Sequence, residues 1–176
     1  MQKCLSWTLW LSLTGMIVGC GPVNEPVTPA IFNSRYTDEQ PALSGDGRFI
    51  AFVSNRGSDR QIVMYDLQKQ QLVDLLRLNQ QEAIAESPSL SYTGRYLAYL
   101  TSDQGRPEIK LYDRVTKRSQ SLTLGYVSWL RNPSISADGR YLVFETSRRG
   151  QWDIEVLDRG PNIELDIPDG TTSQRR

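Results

Sequence analysis

The chain has 176 residues, 39% hydrophobic and 23% charged, a balance that suits a globular domain and excludes a disordered or collagen-like chain. Lys plus Arg and Asp plus Glu both number 20, so there is no basic excess to draw nucleic acid, and none is expected as a partner. Histidine is absent, which removes the commonest general base and the commonest neutral metal ligand; no catalytic residue, metal or cofactor is assigned.

Residues 1–19 read as a signal peptide. Lys3 is the only charge before Glu25, and an apolar run extends from Leu5 to Val18, shorter than the roughly 20 residues that cross a bilayer. The run closes on Ile17-Val18-Gly19-Cys20, which resembles a bacterial lipobox, where cleavage before the cysteine frees its amine and its sulfur carries a diacylglyceryl group. Cys20 is therefore the expected lipid-attachment residue, holding the protein to the periplasmic face of a bacterial membrane. Gly21 rather than Asp follows it, which favours the outer membrane. Residues 20–40 read as lipid-bearing cysteine plus linker, because Gly21 to Pro29 carries three prolines and little that can pack.

The remainder repeats itself. Three segments align without gaps: PALSGDGRFIAFVSNRGSDRQIVMYD from Pro41, PSLSYTGRYLAYLTSDQGRPEIKLYD from Pro88 and PSISADGRYLVFETSRRGQWDIEVLD from Pro133. The period of about 46 residues fits one four-stranded unit per copy. In each copy Pro opens a short strand, since a residue without N–H sits best at a strand's first position or at an edge. Tight turns follow at Gly45-Asp46-Gly47, Tyr92-Thr93-Gly94 and Ala137-Asp138-Gly139, with the last Gly supplying positive φ. Second strands at Phe49 to Val53, Tyr96 to Leu100 and Tyr141 to Phe144 are apolar almost throughout, as in a sheet covered on both faces. Third strands end in Tyr65-Asp66, Tyr112-Asp113 and Leu157-Asp158, the aspartate starting a turn. More polar fourth strands are expected at Gln71 to Leu78, Arg118 to Leu124 and Asn162 to Ile167. The fold class is all-β: three tandem four-stranded antiparallel blades, about 41–80, 88–125 and 133–168, then a tail at 169–176.

The run Pro-x-aliphatic-Ser-x-Asp-Gly-Arg-aromatic, followed by Ser/Thr, Arg, Ile and Tyr-Asp, resembles the TolB-like β-propeller repeat over about 130 residues. The resemblance implies propeller blades, and the family's namesake has six of them. Three blades are too few for a ring, which takes about four to eight. Two arrangements follow: a homodimer closing a six-bladed ring, or an open arc capped by residues 30–40 and the C-terminal tail.

The function expected is a non-catalytic, membrane-tethered protein-interaction module of the bacterial envelope, with an envelope protein as partner. No P-loop, GxGxxG or HExxH occurs, and Asp46, Asp66, Asp113, Asp138 and Asp158 sit at turn positions. The alternatives are a small-ligand or glycan-binding propeller and an accessory domain of a peptidase-like system, the latter needing a GxSxG elbow and a histidine that this chain lacks. Candidate partner-binding residues are Arg56, Arg106, Arg148 and Arg149, which the repeat places in equivalent loops on one rim, and Tyr126 and Trp129 in the crossing into the third copy. The competing reading pairs these arginines with nearby acids and packs the aromatics between blades.

Overall fold

The computed structural model describes residues 34–167 except 58, 59, 77, 79–83 and 104. The lipobox with Cys20 and the tail from residue 168 lie outside the described residues.

Three antiparallel sheets follow one another, each a meander. Blade 1 is β1 (Asp38–Leu43), β2 (Phe49–Ser54), β3 (Gln61–Asp66) and β4 (Gln71–Val73). Blade 2 is β5 (Ala85–Leu90), β6 (Tyr96–Asp103), β7 (Arg106–Asp113) and β8 (Arg118–Ser121). Blade 3 has β9 (Leu130–Ile135), β10 (Tyr141–Thr146) and β11 (Asp153–Asp158), and no fourth strand among the described residues.

The turns form as the spacing requires: Gly47, Gly94 and Gly139 have φ of 71°, 67° and 78°. Gly139 is required twice over, because a Cβ there would also lie 2.3 Å from the Tyr96 ring of blade 2. The prolines lie on edge strands, as expected, but do not open them. Pro41, Pro88 and Pro133 are each the fourth residue of an edge strand. Each follows a residue at positive φ (Gln40 51°, Ser87 52°, Asn132 52°), with a register shift in the adjoining pairing. A bulge tolerates the missing N–H as well as a strand start does.

Two cores lie between the blades. Leu97 and Tyr99 of β6 pack with Phe49, Ala51, Ile62 and Met64 of blade 1. Tyr96, Ala98 and Leu100, on the opposite face, pack with Ile135, Leu142 and Phe144 of blade 3. Burying each such side chain is worth about 1.5–3 kcal/mol, so the inter-blade seams carry much of the fold's stability. Blade 2 is covered on both faces, but β10 of blade 3 alternates buried and open residues, contrary to the expectation that all three second strands are covered. Among the described residues no further strand lies on that face.

A repeated ion pair ties the start of each second strand to the end of the third: Arg48–Asp66 at 2.8 Å, Arg95–Asp113 at 3.2 Å and Arg140–Asp158 at 2.8 Å. The aspartates also accept backbone N–H groups of the next turn (Gln68 and Lys69; Val115; Gly160), which is the turn role expected of them. The residue after the second and third aspartates reaches back one blade: the Arg114 guanidinium lies 4.1 Å from the Phe49 ring centroid and that of Arg159 4.4 Å from Tyr96.

Candidate functional site

The loop rim is built by the β6–β7 hairpin and the crossing from β8 into β9. β7 begins at Arg106, whose side chain is exposed. The crossing carries Leu124, Val127 and Trp129, which are 83%, 92% and 64% exposed. Between the two lie adjoining pockets of about 220 and 160 Å³; Arg106, Pro107, Tyr126 and Val127 line both, and Trp129 lines the smaller.

Tyr126 is half-buried at the floor. Its ring stands edge-on to Phe144, with centroids 6.0 Å apart, and its hydroxyl donates to Glu155 Oε2 at 3.0 Å. Burial, then the hydrogen bond to Glu155, pushes the Tyr126 phenol up, so it remains a donor at physiological pH. Arg148 covers the same ring at 6.0 Å and pairs with Glu155 at 3.6 Å. The structure thus joins Arg106, Tyr126 and Trp129, with Arg148 beside them. Arg149 is tied to Asp153 at 3.0 Å, within its own loop. Arg56 lies apart in blade 1, where it donates to Ser54 Oγ at 2.9 Å, pairs with Asp38 at 3.3 Å and covers Phe52. Three of the four candidate arginines are therefore paired with acids, as the competing reading holds.

The fourth strand expected at Asn162 to Ile167 is not formed. Gly160, at φ 88°, turns the chain out of the sheet, and Pro161 has no N–H for a ladder. The segment crosses instead to the β5–β6 turn of blade 2, where the repeat has lost its aspartate. In blades 1 and 3 the turn carboxylate is internal: Asp46 and Asp138 accept from Ser44 and Ser136 and from the N–H of Arg48 and Arg140. Blade 2 has Thr93 at that position, and Asp166 supplies the carboxylate from 73 residues away. It accepts from Ser91 Oγ at 2.5 Å, Thr93 N at 2.8 Å and Thr93 Oγ1 at 2.6 Å, and is buried. Glu164 adds an ion pair to Arg95 at 2.7 Å, which is the main cause of the raised Arg95 pKa and holds Glu164 below its ordinary value. A cavity of about 430 Å³ remains where this segment passes over Leu111, Arg118 and Gln120. Asp166 was not singled out from the sequence, although Thr93 in place of an aspartate was its visible signal.

Among the described residues no cluster of three or more His, Cys, Asp or Glu is placed to hold a metal. No helix among them is long and apolar enough to cross a membrane.

No protein-family model and no curated protein matches the chain. Solved structures do. TolB from Acinetobacter baumannii is similar at 25% identity and TM-score 0.59, over 72% of this chain and 31% of that one. The three blades are TolB-like propeller repeats. A putative TolB from Agrobacterium tumefaciens is similar at 22% identity and TM-score 0.57, over 68% of this chain and 42% of its own. A prolyl endopeptidase matches at 18% identity and TM-score 0.52, over 74% of this chain and 22% of its own. This chain thus spans less than half the length of the TolB proteins it matches, and its architecture is that of a partial propeller. TolB and a prolyl endopeptidase share this fold, so the fold itself assigns no reaction.

Proposed function

We propose that this chain is a non-catalytic protein-interaction module of a bacterial envelope, tethered through a lipid on Cys20 and binding its partner at the rim around Arg106, Tyr126, Val127 and Trp129. The observation that carries the reading is the crossing itself: three large apolar side chains stand exposed beside two small pockets, with an exposed arginine at their edge. Aromatic and arginine anchors set beside pockets are the usual make-up of binding hot spots. TolB-like repeats provide a rigid scaffold for such loops, and the signal sequence accords with export to the periplasm.

A photo-crosslinking amino acid at Val127 tests the surface in living cells. The expected result is one discrete adduct with an envelope protein, lost when Trp129→Ala is added and absent with the probe at Thr116 on the opposite turns. Adducts that survive Trp129→Ala would remove the rim from the proposal. The tether is tested separately: Cys20→Ala should move the protein from the membrane to the soluble fraction, and continued retention would rule out lipid attachment at that residue.

A ring closed by two copies is the second reading, favoured by Ile154 and Val156. Both are 64% exposed on the open face of blade 3, whereas Ile109 and Leu111 at the same positions of blade 2 are 0% and 3% exposed under blade 3. Against it, blade 3 has Glu145 where blades 1 and 2 have Val53 and Leu100, so closure would cover the Arg131–Glu145 pair, which is 2.6 Å apart. A solution mass that stays dimeric on dilution supports the ring, and a monomer discards it.

A further inference from the structure

Residues 159–167 carry the marks of a fourth strand yet lie on blade 2. In blades 1 and 2 the third strand ends on an aspartate, four residues turn, and the fourth strand begins opposite that aspartate: Asp66 pairs with Gln71 and Asp113 with Arg118. The same count from Asp158 reaches Ile163. The last turn residue is left-handed in both blades, Gln70 at φ 52° and Lys117 at φ 56°, and blade 3 has Asn162 there, a residue type that takes this conformation readily. Leu75 and Leu122 stand at a matching position further on, each packed into a seam between blades, and Ile167 holds that position in blade 3.

The seat that this register describes is open. β11 pairs with β10 and with no other strand among the described residues. Arg159 N donates to Arg140 O, and backbone groups alternate sides along an antiparallel strand, so Ile154, Val156 and Asp158 turn theirs outward. Continuing the blade 2 register sets Leu165 opposite Val156 and Ile167 opposite Ile154, both on the open face of blade 3.

The seat taken instead rests on polar contacts. Besides the bonds of the Asp166 and Glu164 side chains, Asp166 N donates to Asp138 O and the Tyr96 hydroxyl donates to Glu164 O. Asp166 is buried there, while Ile163, Leu165 and Ile167 stay partly open. The two paths part at Gly160. Its N–H bonds Asp158 Oδ1 as Val115 N bonds Asp113 Oδ1, but Gly160 has φ 88°, whereas neither Gln68 nor Val115 at the same place has positive φ. Glycine takes either sign at little cost. Arg159 has no need to move, because Arg114 covers Phe49 in the same way with β8 in place.

We propose that residues 160–167 are a strap with two alternative seats, the turn of blade 2 and the outer edge of β11, and that Asp166 decides between them. On blade 2 its carboxylate meets three donors. On β11 it falls opposite Glu155, to which Arg148 and the Tyr126 hydroxyl are already committed, and like charges set directly opposite repel. Both effects hold the charged strap on blade 2, so removing the carboxylate moves it. The edge of β11 is open only while Asp166 completes the turn of blade 2.

The test uses the full chain and amide hydrogen exchange read residue by residue. One variant joins Asp166→Ser, the blade 2 residue at that place, with Gly160→Gln and Pro161→Lys, the turn residues of blade 1. It should slow exchange at Val156 and Asp158 by about tenfold or more and speed it at Thr93, whose N–H loses its acceptor, at any protein concentration. Asp166→Ser alone should move both readings the same way by about twofold or more. Adding Leu165→Pro to the triple variant removes the N–H opposite Val156; it should return Val156 and Asp158 to their original rates while the buried Ile62 and Leu97 amides stay protected. Three results would overturn the proposal. Thr93 freed with Val156 and Asp158 still exchanging fast leaves the strap a single seat; Thr93 unchanged takes the decision away from Asp166; protection of Val156 that rises with protein concentration makes the occupant a second copy.

Discussion

Blades 2 and 3 share a motif yet differ in nearly every physical respect. Ile109 and Leu111 are sealed between sheets, while Ile154 and Val156 at the same places face outward. Leu100 is buried in one, and its counterpart Glu145 is paired with Arg131 and held by Asn132 Nδ2 in the other, which holds its carboxyl below the ordinary range. Blade 2 keeps its fourth strand; blade 3 gives up those residues to repair the turn of blade 2. A repeat motif thus specifies the inner three strands of a blade, and the neighbours decide what its faces and outer edge become.

The sharpest way to break that comparison is to truncate the same position in both blades. Ile109→Ala should lower the unfolding free energy by about 3 kcal/mol, the usual cost of a large-to-small change in a closed core. Ile154→Ala should cost less than about 1 kcal/mol, as surface changes do. Urea denaturation with unchanged m-values reads both. Equal losses would mean that blade 3 is covered in solution.

Next in size is the loan of Asp166. Asp166→Ala leaves Ser91 Oγ, Thr93 Oγ1 and the Thr93 N–H without their acceptor, and a lost charge-assisted acceptor costs about 2 kcal/mol. Thr93→Asp should recover most of this in the Asp166→Ala background, because it restores the turn that Asp46 and Asp138 make within their own blades. In the otherwise unchanged protein Thr93→Asp should instead destabilise, with two carboxylates set against one turn. Failure of the rescue would show that Asp166 acts through the path of residues 159–167 and not through the turn.

This exchange also marks the limit of what was legible. The period, the Gly turns and the second and third strands were readable because their determinants are local: positive φ at a fixed offset and apolar runs of strand length. Asn162 to Ile167 alternates polar and apolar residues as well as any strand does, and by that pattern belongs beside β11. What removed it is non-local, the unmet need of a turn some 70 residues earlier, together with Gly160-Pro161 at the exit. Of the rim residues, the repeat spacing singled out Arg106 and Arg148 and the crossing singled out Tyr126 and Trp129, but the spacing also grouped Arg56 with them. It could not show that Asp38, from the preceding strand, holds Arg56 in blade 1.

The smallest expected effect concerns the ion pair that all three blades share. Arg48 and Arg140, by hydrogen bonding, hold Asp66 and Asp158 at about 2, against an ordinary value of 3.8. A carboxyl whose folded pKa lies below its unfolded one contributes stability that is complete above the unfolded value and lost as pH falls through the folded one. The window is therefore roughly pH 4 to 2, with stability falling as acid is added. Asp66 is buried beside its arginine, whereas Asp158, at the end of β11, is exposed and screened by solvent. Asp66→Asn should accordingly flatten the acid limb of a stability profile more than Asp158→Asn does. If Asp158→Asn flattened it equally, that end of β11 would be shielded from water, and the openness of blade 3 would not extend to its outer edge.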